Sequence, residues 1–210
     1  MRTLLLSFLT CSVIACLTPC APGEEKTHSK KDHRIQLFYY VTGMEGQDEV
    51  ADVTSAVKAQ KSVVFGTVNT ERGYVTLSLD SHEISYQQVA EAIAIAGRKH
   101  GKTYDPRIVI TVADYSNPAL GPKIKEIFAA SNLKPWIKYE AIDEANGVFF
   151  IHFLPLVNDP NKKGTQGFNG GYIRHPVTDP RPQGLGSTCV YSGKDSPAIP
   201  VSPAIPTEKK

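Results

Sequence analysis

Arg34-Ile35-Gln36-Leu37-Phe38-Tyr39-Tyr40-Val41-Thr42-Gly43-Met44-Glu45-Gly46-Gln47-Asp48-Glu49 is the stretch on which the reading of the fold turns. Its first nine residues are rich in β-branched and aromatic side chains and stop at Gly43, the pattern of a strand. Asp48 or Gln47 then opens a helix, because Val50, Val53, Ala56 and Val57 recur at the spacing of one helical face. Two further strands, 63–68 and 74–79, flank Asn69-Thr70-Glu71-Arg72-Gly73, a hairpin turn with glycine available for positive φ. Ser81 is the candidate N-cap of a second helix, whose buried stripe is Ile84, Val89, Ala92, Ile93 and Ala96 and whose stop is Gly97. The order β-α-β-β-α is most of a ferredoxin-like sandwich, two helices on one face of an antiparallel sheet.

Within this frame the strand ending in Val41-Thr42-Gly43-Met44 resembles the stretch that leads into the metal loop of heavy-metal-associated (HMA) domains. Val50, Val53, Ala56 and Val57 match that family's first helix. Ser62-Val63 resembles its turn into the second strand, and Ala92-Ile93 through Ala96-Gly97 resembles the close of its second helix. The resemblance spans residues 34–97, under a third of the chain, and implies the fold. In the family, Cys-x-x-Cys follows Gly-Met and binds the metal; here Gly46 and Glu49 stand at those positions, and no cysteine lies in the stretch. Neither residue supplies a soft thiolate for Cu(I) or Zn. The resemblance therefore implies the scaffold without the metal activity, and no metal, cofactor or catalytic residue is assigned.

Other residues near the loop do not rebuild a site. Met44, Glu45, Asp48, Glu49 and His33 combine a thioether with scattered carboxylates, which is no matched set for one ion. Met44 is assigned to the core. The six histidines form neither a His-x-x-x-His nor a His-x-His pair. His82 and His100 read as solvated turn residues, and His152 as a satisfied sheet residue.

The second half repeats the same grammar. Residues 107–113 alternate β-branched side chains as a strand, and Asn117-Pro118 is a helix-start signal. Leu120, Ile124, Ile127 and Phe128 make one helical face. Strands 136–142 and 148–154 flank a second hairpin, Asp143-Glu144-Ala145-Asn146-Gly147. The continuous apolar run Val148-Phe149-Phe150-Ile151 implies burial on both faces, so the two halves are expected to pack on each other or share a sheet. The strand 107–113 either closes the first sheet or begins a second unit. The fold class is thus α+β: a ferredoxin-like β-α-β-β-α-β sandwich, a second β-α-β-β unit, and a Gly/Pro-rich tail.

Five segments follow: a leader 1–20, a tether 21–33, an HMA-like domain 34–104, a second α+β unit 105–156, and a largely irregular tail 157–210. Arg2 and the broken apolar run from Leu4 to Leu17 read as an export signal, too short to span a bilayer. Val13-Ile14-Ala15-Cys16 resembles the bacterial lipobox, which would place lipid on Cys16; the alternative is cleavage near Cys20-Ala21. Only Cys189 lies in the body, so a lipidated product could pair Cys20 with Cys189, or Cys189 is a free thiol. Residues 21–32 are Gly, Pro and charge. In the tail Ser196-Pro197-Ala198-Ile199-Pro200 recurs as Ser202-Pro203-Ala204-Ile205-Pro206, a polyproline-like spacer or docking strip. A net charge of +2 points to no nucleic-acid partner.

Catalytic motifs are not met. Gly97-Arg98-Lys99-His100-Gly101-Lys102-Thr103 is one residue short of a phosphate-binding loop and follows a helix, so it reads as a basic turn. The glycine run from Gly164 to Gly171 reads as a flexible loop with no helix behind it. Asp114 reads as part of a strand-to-helix turn, and Cys189 with His175 as an unconnected pair. The expectation is an exported, noncatalytic binding or scaffolding protein of a bacterial envelope, periplasmic or lipid-anchored, that contacts another envelope protein. The alternatives are a metal-handling protein with a Met/His/carboxylate site, and thirdly a hydrolase.

Overall fold

Alternation along the first strand sets the layering of the whole molecule. In β1 (Arg34–Tyr40) Leu37 and Tyr39 are buried while Phe38 and Tyr40 are half-buried, so the strand has one core face and one open face. The computed structural model describes residues 34–157, 166–180 and 184–192. After β1 come α1 (Gln47–Lys58), β2 (Val63–Asn69), β3 (Tyr74–Asp80), α2 (Tyr86–Arg98) and β4 (Arg107–Val112). Then follow α3 (Gly121–Phe128), β5 (Ile137–Asp143), β6 (Val148–Phe153), α4 (Gly171–Thr178) and β7 (Cys189–Tyr191).

All the strands join one antiparallel sheet, in the order β2-β3-β1-β4-β6-β5, with β7 against β4. The first six elements form a complete ferredoxin-like unit, β2-β3-β1-β4. The elements from β4 onward form a second one in the same arrangement, β5-β6-β4-β7. Strand β4 closes the first unit and begins the second. Both sequence readings of this strand therefore hold at once, and the described residues belong to one compact unit.

Register shows that the helices share a face. Residues directly paired across antiparallel strands project to the same side. Tyr40 pairs Arg107, which puts Ile108 on the side of Tyr39, and Ile110 pairs Phe149. The Tyr39 hydroxyl donates to the Tyr86 carbonyl in α2 (2.9 Å), and Phe149 meets Phe128 of α3 (ring centroids 5.4 Å apart). Tyr191, paired with Ile110, donates to the carbonyl of Gly170 at the start of α4. Val53 and Val57 of α1, Ile93 of α2, Ile124 of α3 and Ile173 of α4 are all fully buried in the resulting core.

Several sequence expectations are refined or corrected. Among its described residues the stretch 157–210 supplies α4 and β7, which complete the second unit. The glycine run does have a helix directly behind it, and Gly170 is fixed by packing, since a Cβ there would lie 2.5 Å from the Tyr86 hydroxyl. Ser85, not Ser81, caps α2: its Oγ accepts from Gln88 N–H (3.0 Å) while Gln88 Oε1 accepts from Ser85 N–H (2.9 Å). Asn117 closes a turn by accepting from Ala119 N–H, and α3 starts only at Gly121. Gly97 lies inside α2, and its missing side chain makes room for the Tyr104 ring, 2.5 Å from where a Cβ would sit.

Candidate functional site

The loop between β1 and α1, where Gly46 and Glu49 stand in place of a Cys-x-x-Cys pair, is built around a lysine. Gly43 turns the chain with φ at +86°, and Met44 drops into the core at 4 % exposure, as expected for it. Glu49, in the first turn of α1, points back and accepts from the backbone N–H of Glu45 (2.9 Å). Lys102, from the turn between α2 and β4, donates to Glu49 Oε1 (2.7 Å) and to the Gly43 carbonyl (2.9 Å). Its ammonium also lies 3.5 Å from Glu45 Oε2. An ammonium has three protons and no acceptor, so one carbonyl and two carboxylates match its needs. Tyr104 completes the cage by donating to Glu49 Oε2 (3.0 Å).

The electrostatics follow from that geometry. The Lys102 hydrogen bond, helped by the Glu45 amide, lowers the Glu49 pKa from 4.5 to about 2. The same bond raises Lys102 above its ordinary value. Burial, then the bond to Glu49, pushes the Tyr104 hydroxyl up to about 12, so it stays a donor. Asp52, next along the same helix, takes Lys99 and His100 (3.5 and 3.1 Å). His100 is thus a paired residue and not the solvated one the sequence implied. Among the described residues no group of three or more His, Cys, Asp or Glu side chains is arranged to hold a metal ion.

The second unit closes the corresponding loop differently. Asp114, just after β4, accepts from the Ser187 hydroxyl (2.6 Å), and the Ala113 N–H donates to the Thr188 carbonyl. Asp114 is therefore a turn residue, as the sequence indicates. Cys189 is buried at 5 % exposure with no disulfide among the described residues, and burial pushes its thiol up to about 12. A thiol of that pKa in the core is a poor nucleophile at neutral pH. His175 lies on the exposed side of α4. Cys16, Cys20 and His33 lie outside the described residues.

The face of the sheet opposite the helices carries residues that the sequence reading did not single out. Phe38 and Tyr40 of β1, Tyr74 of β3 and Phe150 of β6 are all half-buried there. Phe38 and Tyr74 stack (5.3 Å, 6° between planes), and Tyr40 sits edge-on to both Tyr74 (6.3 Å) and Phe150 (5.8 Å). Arg107 lies over Phe150 at 4.5 Å, a cation–π contact. His152 is held between Asp105 and Glu140, 2.7 Å from each, a satisfied sheet residue as read from the sequence. Val64 and Val190, each 47 % exposed, lie on the same side. The apolar run at 148–151 is therefore buried on one face only, because Phe150 belongs to this open side.

No family model and no curated protein matches the chain. Among solved structures, the water-soluble region of the P-type ATPase CopA from Bacillus subtilis is similar over 74 % of this chain and 89 % of its own, at 15 % identity and a TM-score of 0.34. A structure of the N-terminal soluble domains of the same protein is similar over 78 % and 97 %, at 14 % identity and a TM-score of 0.30. The assignment to the ferredoxin-like class rests on the strand order, and likenesses at these scores add nothing to it. Within that class this chain is a pair of units fused on one shared strand, with both strand-to-helix loops closed from within.

Proposed function

We propose that this is an exported, noncatalytic binding or scaffolding protein of a bacterial envelope, and that its contact surface is the open aromatic face of the sheet. The single observation that carries the reading is the Lys102 ammonium seated among Gly43, Glu45 and Glu49, where a carrier of this shape would need thiolates. A site already filled by a fixed cation favours scaffold use over ion transfer. Stacked rings on the face that no described helix covers offer rigid apolar area at low entropic cost, which is what interface centres use. The test is crosslinking of the full chain in membranes, comparing wild type with Tyr40→Asp and with Ile95→Asp. Ile95 is exposed on α2, away from this face. A crosslinked envelope protein that disappears only with Tyr40→Asp supports the reading. Identical crosslinks in all three chains contradict it.

A further inference from the structure

We infer that a cleft on the helix side of the sheet, between the turn after β3 and the first turns of α4, binds a small organic anion with a ring-bearing body. This site is separate from the open aromatic face and does not depend on the proposed function. The cleft has a volume of about 560 Å³, within the range of about 300–1,000 Å³ usual for small-molecule sites. Its basic lining is Arg174 and His175 of α4 together with His82 of the turn. Among the described residues no acidic side chain lines it. The acids next to the turn are engaged: Asp80 accepts from the His82 N–H (3.0 Å), and Glu83 takes Lys61 (3.1 Å).

Local sequence explains why these side chains converge. Gly171 leaves room for the His175 ring to lie back over the first turn of α4, where a Cβ would sit 3.0 Å from it. Arg174 pairs with no carboxylate among the described residues. Its charge opposes the rise in pKa that burial causes at Tyr86 and Cys189, so the guanidinium lies close to the inner wall of the cleft. Tyr86, Tyr172 and Ile35 supply the apolar surface. A guanidinium without a carboxylate, set beside rings, suits an aromatic carboxylate or an aromatic phosphate ester, because its planar fork pairs two oxygens at once. The walls are fixed by their own hydrogen bonds. Buried Gln87 accepts from the Phe168 N–H (2.8 Å) and donates to the Leu154 carbonyl (2.7 Å), while the Asn169 side-chain amide donates to the Ser81 carbonyl. A site formed in advance has less ordering to do when its ligand arrives.

The experiment is titration of the full chain with phenyl phosphate and with benzoate, followed by the fluorescence of Trp136, the one tryptophan, whose ring lies 5.0 Å from that of Tyr172. Inorganic phosphate and neutral benzyl alcohol are the controls. Saturable one-to-one binding of at least one aromatic anion is expected, with a Kd below that of either control, and the tighter of the two names the head group. Arg174→Met should raise that Kd about 10- to 150-fold, the worth of a hydrogen bond to a charged group. Arg72→Met, at an exposed arginine of the β2–β3 hairpin, should leave it unchanged. Circular dichroism melting checks that both variants fold, and amide shifts in wild type, expected at Asn169 and Gly171, locate the ligand without any substitution. No saturable binding of either anion overturns the inference. So does binding that Arg174→Met leaves intact, that inorganic phosphate or benzyl alcohol matches, or that shifts amides only elsewhere.

Discussion

The two loops that lead from strand to helix, residues 41–46 after β1 and 113–120 after β4, occupy the same place in two copies of one topology and are held shut by different chemistry. In the first unit the helix itself supplies the carboxylate, Glu49, and a distant lysine answers it. The first turn of α3 contains Pro122 and no acid, so the second unit draws its carboxylate, Asp114, from the loop and meets it with the neutral hydroxyl of Ser187. Position in the fold thus fixes where a polar closure is needed, while the helix start decides whether it is an ion pair. The ion pair ties the first closure to the ionisation of Glu49, whose pKa it lowers.

The strand common to both units is where the comparison breaks most easily. Ile110→Ala, fully buried in β4, removes core from both halves and should cost about 2–5 kcal/mol. One cooperative denaturant transition, shifted whole, is the expected result, and two separated transitions would show that the halves are independent. Next in size is Gly170→Ala, which forces a methyl against Tyr86; overpacking of this kind costs about 1–3 kcal/mol. Its loss should fall on the contact between α4 and α2 and appear in hydrogen exchange there first.

Smaller effects separate the two loops. Ser187→Ala should cost about 1 kcal/mol, the usual worth of a hydrogen bond whose remaining partner can still reach water. The smallest is the pH response of Lys102→Met, since Lys102 is one-third exposed and solvent screens the pair. Glu49 has a lowered pKa, so its contribution is full above 4.5 and drains away as pH falls toward about 2. The raised pKa of Lys102 adds a loss only in alkali, as pH climbs through that raised value. Wild type and Ser187→Ala should both lose melting temperature across this acid window, measured by circular dichroism. Lys102→Met should give a flatter acid profile, and an unchanged one would sink the assignment of the acid response to this pair.

Much of this architecture was legible because its signals are local. A run of β-branched and aromatic residues marked β1, alternation marked β4, and Gly73 and Gly147 sit at positive φ in the hairpins where the sequence placed them. What escaped notice depends on distant partners. Strand β7 is three residues long, and α4 contains Pro176 and starts on Gly170-Gly171, so composition alone reads the region as tail. Gly170 answers to Tyr86, far off in sequence. Lys102 looked like one more charge in a basic turn, because nothing near it in the chain announces Gly43 and Glu49. The open face was hidden for a related reason: Phe149 and Phe150 are equally apolar, and only which side of the sheet the described helices cover distinguishes them.

The central claim is that the loop after β1 is filled by its own lysine and does not serve as a soft-metal site. Equilibrium dialysis of the mature chain against Cu(I) and Zn(II), with metal counted per polypeptide, tests it most directly. No stoichiometric retention is predicted for either ion. A one-to-one complex that is lost on Met44→Leu or Glu49→Gln would contradict the account.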